Sequence, residues 1–283
     1  MRYLTLLFAG CAGVGSTSAD TPTDGSTPEP TGDYDVLVAT DPDPASTAAS
    51  TEVYLTVLGP DGAPVDDLQA AHERIVHTFL ISDDLSQFAH LHHEDFYPIT
   101  VDDLRAATYH FPYAFPLGGD WLAYSEFAHQ NVFHIDSNWL TVEGEPAQAD
   151  EPVLEPFAST VTVGDVTAEL VWDAGPFPDA QSAFHLHLTT AAGDVTDIVQ
   201  WLAADGHGAV ARSDLGYVVH THAWVPGMDQ MSPSMVMEHT YDGPDLPFKV
   251  VLGGSGAYKM WIQFARSGDP DAPYTIPVTF RVP

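Results

Sequence analysis

A single cysteine among 283 residues has no partner inside the chain, which excludes a disulfide framework and any Cys-rich zinc module. Basic residues are also scarce. Eight Lys and Arg stand against 40 Asp and Glu, a formal net charge of −32. A polyanion is repelled by such a surface instead of being held through its phosphates, so nucleic acid is excluded as a partner. The same excess of acid is ordinary for a secreted protein facing high salt, and it concentrates cations near the surface. No apolar run approaches the ~20 residues needed to span a bilayer. Helical periodicity is nearly missing as well: residues 65–74 and 195–204 are the only stretches that predict a helical turn.

The one cysteine stands after a short, export-like start. Met1-Arg2 is followed by an apolar run to Phe8 and then Ala9-Gly10-Cys11, the order of a secretory signal. The ending resembles a bacterial lipobox, with Phe where Leu is usual, which implies a signal peptide over residues 1–10 and lipidation of Cys11. Lipid there would be the chain's only membrane anchor, placing it in the cell envelope, on the outer membrane or facing the periplasm. Residues 15–33 hold no large apolar side chain and cannot offset the entropy of ordering, so residues 11–35 are expected to form a disordered tether.

From Tyr34 onward, short alternating runs such as Val53-Tyr54-Leu55-Thr56-Val57 and Phe184-His185-Leu186-His187-Leu188 are punctuated by Asp61-Gly62 and Gly193-Asp194. These are strand and turn signals. The module is written twice. Placing Gly62 on Gly193 lays Val53-Leu55-Val57 on Phe184-Leu186-Leu188, and Gly119 to Phe127 falls on Gly256 to Phe264 with aromatics in matching places. The expected fold is all-β, two tandem immunoglobulin-like β-sandwich domains over residues 36–145 and 157–283, joined by a Pro- and acid-rich linker at 146–156.

Histidine is what the chain has in excess, with fourteen copies. His77, His90 and His92 align with His207, His220 and His222 across a 16-residue segment in which only five positions are identical: the three His, an Asp (Asp84, Asp214) and a Leu (Leu85, Leu215). Each segment reads as a hairpin turning at Asp-Leu. An even loop sets His77 opposite His92 and His207 opposite His222, with His90 and His220 two residues along on the same face. Three imidazoles so converged suit copper or zinc.

This pattern of His, apolar strand, Ser-Asp-Leu-type turn and His-x-His, followed by Gly-x-aromatic-x-x-aromatic-x-Gln/Glu-Phe, resembles the YtkA-like and FixH-like immunoglobulin-fold modules of bacterial secreted proteins. Such modules are often associated with copper or other heavy metals. The Pro usual after His-x-His is replaced by His93 and Ala223. The resemblance implies the sandwich fold and metal handling, without naming the metal.

The second copy alone carries Met228, Met231, Met235 and Met237, with His239 beside them. Thioether sulfur prefers Cu(I) to Zn(II), and the cluster is similar in style to the Met loops of CopC-type copper carriers. The expected function is therefore binding of a transition metal, copper first and zinc second, by an exported lipoprotein. His185 and His187 read as surface residues. His72, His93, His110, His129 and His134 are possible auxiliary ligands without a repeated spacing. Two other readings are a lipid-tethered interaction module whose His are structural, and a His₃ zinc hydrolase or hydratase acting through metal-bound water. No nucleophile elbow, phosphate loop or Cys-His pair is present, so the expectation is a protein without catalytic residues.

Overall fold

The computed structural model describes residues 34–146, 152, 154, 156–224 and 243–283. Cys11 and the Met cluster with His239 lie outside the described residues. The first repeat forms β1 (Asp35–Asp41), β2 (Ala45–Ser46), β3 (Thr51–Leu58), β4 (Val76–Ser82), β5 (Phe88–Leu91), β6 (Thr108–Tyr113), β7 (Gly119–His129) and β8 (Val132–Glu143). They make two sheets, ordered β1-β3-β6 and β2-β8-β7-β4-β5. The second repeat forms β9 (Thr160–Val163), β10 (Val166–Ala174), β11 (Gln181–Thr190), β12 (Gly193–Asp194), β13 (Ile198–Val199), β14 (His207–Arg212), β15 (Val218–His222), β16 (Asp245–Val251), β17 (Gly256–Arg266) and β18 (Asp269–Val282). Here β11 joins β10, β12 and β16, while β17 joins β13, β14 and β18, with β15 outside β14. The plan is the same twice over: β11 stands for β3, the β14–β15 hairpin for β4–β5, and β17–β18 for β7–β8. The chain is two tandem immunoglobulin-like β-sandwiches.

Strand patterning follows from which faces are covered. β3 alternates between buried Val53, Leu55 and Val57 and the partly exposed residues between them, as a strand with one wet face must. All seven residues of β4 are buried, because its faces pack on different cores. Leu80 joins Val53, Leu55 and Phe111 inside the first sandwich. Phe79 and Ile81 point the other way, into a shared cluster with Ala209, Ala211, Val218 and Trp261 of the second repeat. The second sandwich closes around Phe184, Leu186, Phe248, Val210 and Ile262. The two histidine-bearing sheets are thus the inner layers of a four-sheet stack, and the repeats are not independent modules.

Two local expectations are corrected. Residues 65–74 and 195–204 form no helix. In each, two successive residues take positive φ (His72 and Glu73; Leu202 and Ala203), closed by bridges between Ala71 and Arg74 and between Trp201 and Ala204. Consecutive left-handed residues reverse the chain and cannot belong to a right-handed helix. Among the described residues the one α-helix is Val101–Ala106, started by a capping box between Thr100 and Asp103. At six residues it is too short to leave a periodic signal.

The same geometry explains two of the five identities in the hairpin segment. Leu85 and Leu215 sit at positive φ, with their side chains buried in the cluster between the repeats. Asp84 and Asp214 each accept a hydrogen bond from the backbone N–H two residues on, at 3.0 Å, which holds the turn. The remaining three identities are the histidines.

Candidate metal centre

Strand pairing builds each trio. Thr78 pairs with Leu91 and Phe79 with His90, so the next step brings His77 against His92; in the second hairpin His207 pairs directly with His222. On the other side of β4, His77 faces Glu126 of β7, and in the second repeat His207 faces Gln263 of β17.

Outer hydrogen bonds decide which ring nitrogens face inward with a lone pair. The Ala71 carbonyl accepts from Nε2–H of His77 at 2.9 Å. Asp95 Oδ2 accepts from Nδ1–H of His92 at 2.7 Å, and Gln263 Oε1 accepts from Nδ1–H of His90 at 3.0 Å. A carbonyl or carboxylate can only accept, so the protons are assigned to the outward nitrogens. The inward ones, Nδ1 of His77, Nε2 of His90 and Nε2 of His92, are left with lone pairs. They form a triangle with sides of 3.2, 3.0 and 3.0 Å. Lone pairs pressed together repel one another, and a cation removes the repulsion. An ion about 2.0–2.1 Å from each nitrogen would stand about 1 Å off their plane, with its fourth position open.

In the second trio the first histidine is held in the same way. The Trp201 carbonyl accepts from Nε2–H of His207 at 2.9 Å, and Nδ1 of His207 lies 3.3 Å from Nε2 of His220. Nε2 of His222 is buried without a hydrogen-bond partner. Donor atoms of His207, His220 and His222 lie within 4.8 Å of one another, and so do those of His77, His90 and His220. The two trios are therefore neighbours. Ring centroids are 5.3 Å apart for His77 and His220, 5.4 Å for His90 and His220 and 5.9 Å for His90 and His207.

Support crosses between the repeats. His90 of the first is held by Gln263 of the second, and Nδ1 of His220 faces Glu126 Oε1 of the first at 3.0 Å. Glu126 and Gln263 occupy equivalent positions, so the exchange follows a pseudo-twofold axis running between His90 and His220. Such outer partners orient metal-bound imidazoles and raise their basicity. His72 breaks the symmetry, since Leu202 takes its place in the second repeat. Its ring stacks on His222 at 3.9 Å, and its Nδ1 is buried without a partner.

Burial depresses the basicity of the whole cluster. It lowers His77 to about 4 and holds His72, His90, His92, His207, His220 and His222 well below the ordinary imidazole value, with the neighbouring imidazoles adding to the effect. The rings are neutral at pH 7, the form that binds metal. Desolvation pushes the Glu126 carboxyl the other way, up to about 8. A cation on the far side of His220 would draw it back toward carboxylate.

A family model described as a domain of unknown function, DUF8832, matches residues 30–144 and again residues 161–282. The chain belongs to the DUF8832 family. No curated protein matches it. Among solved structures, this DUF8832 chain is similar to native E. coli alpha-2-macroglobulin, with 10% identity over 94% of this chain and 15% of that one and a TM-score of 0.26. It is also similar to dimeric latent PorU from Porphyromonas gingivalis, with 9% identity over 88% and 20% and a TM-score of 0.27. A two-domain fibronectin type-III segment of chicken tenascin matches with 11% identity over 88% and 100% and a TM-score of 0.21. The chain thus spans 15% and 20% of the first two.

The other candidate histidines of this DUF8832 chain lie apart from the trios. Nδ1 of His93 accepts from the His110 backbone N–H at 3.0 Å, and Nδ1 of His110 lies 2.6 Å from Glu52 Oε1. His129 contacts Tyr34 and Asp67. His134 is buried against Tyr34 and Phe127. His185 and His187 pair with Asp173 and Asp245 on the face of β11 turned away from its core. Sequence reasoning missed Glu126, Gln263, Asp95 and Trp201 as supports of the trios. The signal for the first two was present: both end the repeated aromatic motif just before Phe, opposite the first histidine.

Proposed function

We propose that this protein is an exported, lipid-anchored binder of transition metal, copper first and zinc second, using His77, His90 and His92 in one repeat and His207, His220 and His222 in the other. The observation that carries this reading is the inward triangle of lone-pair nitrogens, held by hydrogen bonds on the outward side of each ring. Imidazole suits both metals. The Met cluster from Met228 to Met237, with His239, favours copper because thioether is soft. The resemblance to secreted metal-associated modules and the net charge of −32 agree with capture of a cation outside the cytoplasm. Among the described residues, Glu126 and Asp95 contact the trios, and each faces an imidazole nitrogen on the outward side. This position orients ligands and does not suit a general base acting on a metal-bound water.

Metal analysis of the purified protein should give about two ions per chain, as one trio binds one ion. The variant with all six histidines changed to Ala should hold none of them. Full occupancy in that variant would overturn the proposal. The anchor has its own test: Cys11→Ala should move the protein from the membrane fraction to the soluble fraction, and retention in the membrane would refute lipid at Cys11.

A further inference from the structure

Separate sites would need separate walls, and here the walls are shared. The gaps between trios, 5.3 to 5.9 Å between ring centroids, are scarcely wider than those within them, 4.3 to 5.5 Å. Donor atoms of His77, His90 and His220 lie within 4.8 Å of one another, although His220 belongs to the second trio. Two ions, each about 2.0–2.1 Å from its own nitrogens, would therefore be close neighbours. Three imidazoles leave each ion at least one open position. His90 and His222 are only partly buried, so the cluster is not sealed from water on every side.

We infer that the two trios form a single dinuclear centre on the pseudo-twofold axis between the repeats, with a small anion of one to three atoms, such as hydroxide or azide, bridging the two ions. This inference rests on the metal-binding reading above and goes further, since that reading is satisfied by two unrelated ions. The bridge has a physical cause. Two divalent cations this close repel strongly in a low-dielectric interior, and six neutral imidazoles supply no negative charge. An anion between the ions relieves the repulsion, and Glu126, one imidazole away from the second ion, relieves part of what remains. Gln263 stands at the equivalent place beside the first trio and carries no charge, so the two ions are not alike.

The test is electron paramagnetic resonance of the full-length protein loaded with Cu(II), with bound copper measured on the same samples. One equivalent should give a spectrum of about one spin per chain. A second equivalent should be retained, yet the integrated signal should drop below two spins or a half-field transition should appear, and azide should change that coupling. The double variant His207→Ala/His222→Ala should keep one copper with an uncoupled spectrum, which shows that coupling needs both trios. Two bound coppers giving two full, magnetically isolated spins would overturn the dinuclear centre and leave the metal-binding reading standing. Saturation at one copper per chain would overturn it in favour of a single shared ion. Failure to retain any copper would overturn both readings.

Discussion

Zinc at a thousandfold excess over its dissociation constant should raise the unfolding free energy of the protein by about 4 kcal/mol for each ion held. The gain would be read as a higher urea midpoint and reversed by EDTA. It is large because the site exists only in the folded chain. Each trio takes one histidine from the first arm of a hairpin and two from the second, His92 lying one residue past β5, and His90 and His220 are held in place by Gln263 and Glu126 of the opposite repeat. An unfolded chain of this composition offers single imidazoles with no convergent set, so its affinity is far lower. Zinc is the better ion for this measurement because it has no redox chemistry. A midpoint unmoved by zinc would mean that the histidines pack the interface and bind nothing.

Without metal, the protein should lose stability as the pH falls from about 7 toward 4. An unfolded histidine titrates near 6.5, whereas His77 in the folded chain titrates at about 4. The other six imidazoles of the cluster are depressed in the same direction. Between those values the unfolded state binds protons that the folded state refuses. Stability therefore falls with falling pH by up to about 1.4 kcal/mol per pH unit for each such group, and levels off below the folded values. Glu126 works the other way. Its carboxyl is raised to about 8, so it costs stability as the pH rises from its ordinary range to that value. One carboxyl is opposed by seven imidazoles, and the acid side of the profile belongs to the histidines. Urea midpoints in chelator at pH 7.5, 6 and 5 measure this directly. A flat profile would show that the cluster is open to water in solution and that burial does not set its titration.

Whatever depends on local pattern was readable in the sequence. Period-two alternation in Val53-Tyr54-Leu55-Thr56-Val57 predicts strand β3, because a strand with one dry face buries every second residue. The even loop closed by Asp84 and Leu85 sets the hairpin register, and therefore which imidazoles share a face. The duplication was legible because two copies of a module must keep the same turns and core positions. Two features depended on conformation that composition does not reveal: the Val101–Ala106 helix, a single capped turn or so, and the paired left-handed residues at His72–Glu73 and Leu202–Ala203. Only the tertiary structure decided which sheet faces meet. Phe79 and Ile81 are as apolar as any residue of a sandwich core, and nothing in their order says that they cover Ala209, Ala211 and Trp261 of the other repeat. Hydrophobic burial is non-directional: it requires that these faces be covered and does not specify by what. That choice of partner brings two histidine trios together, sends Glu126 and Gln263 across the interface and leaves His72 on one side alone.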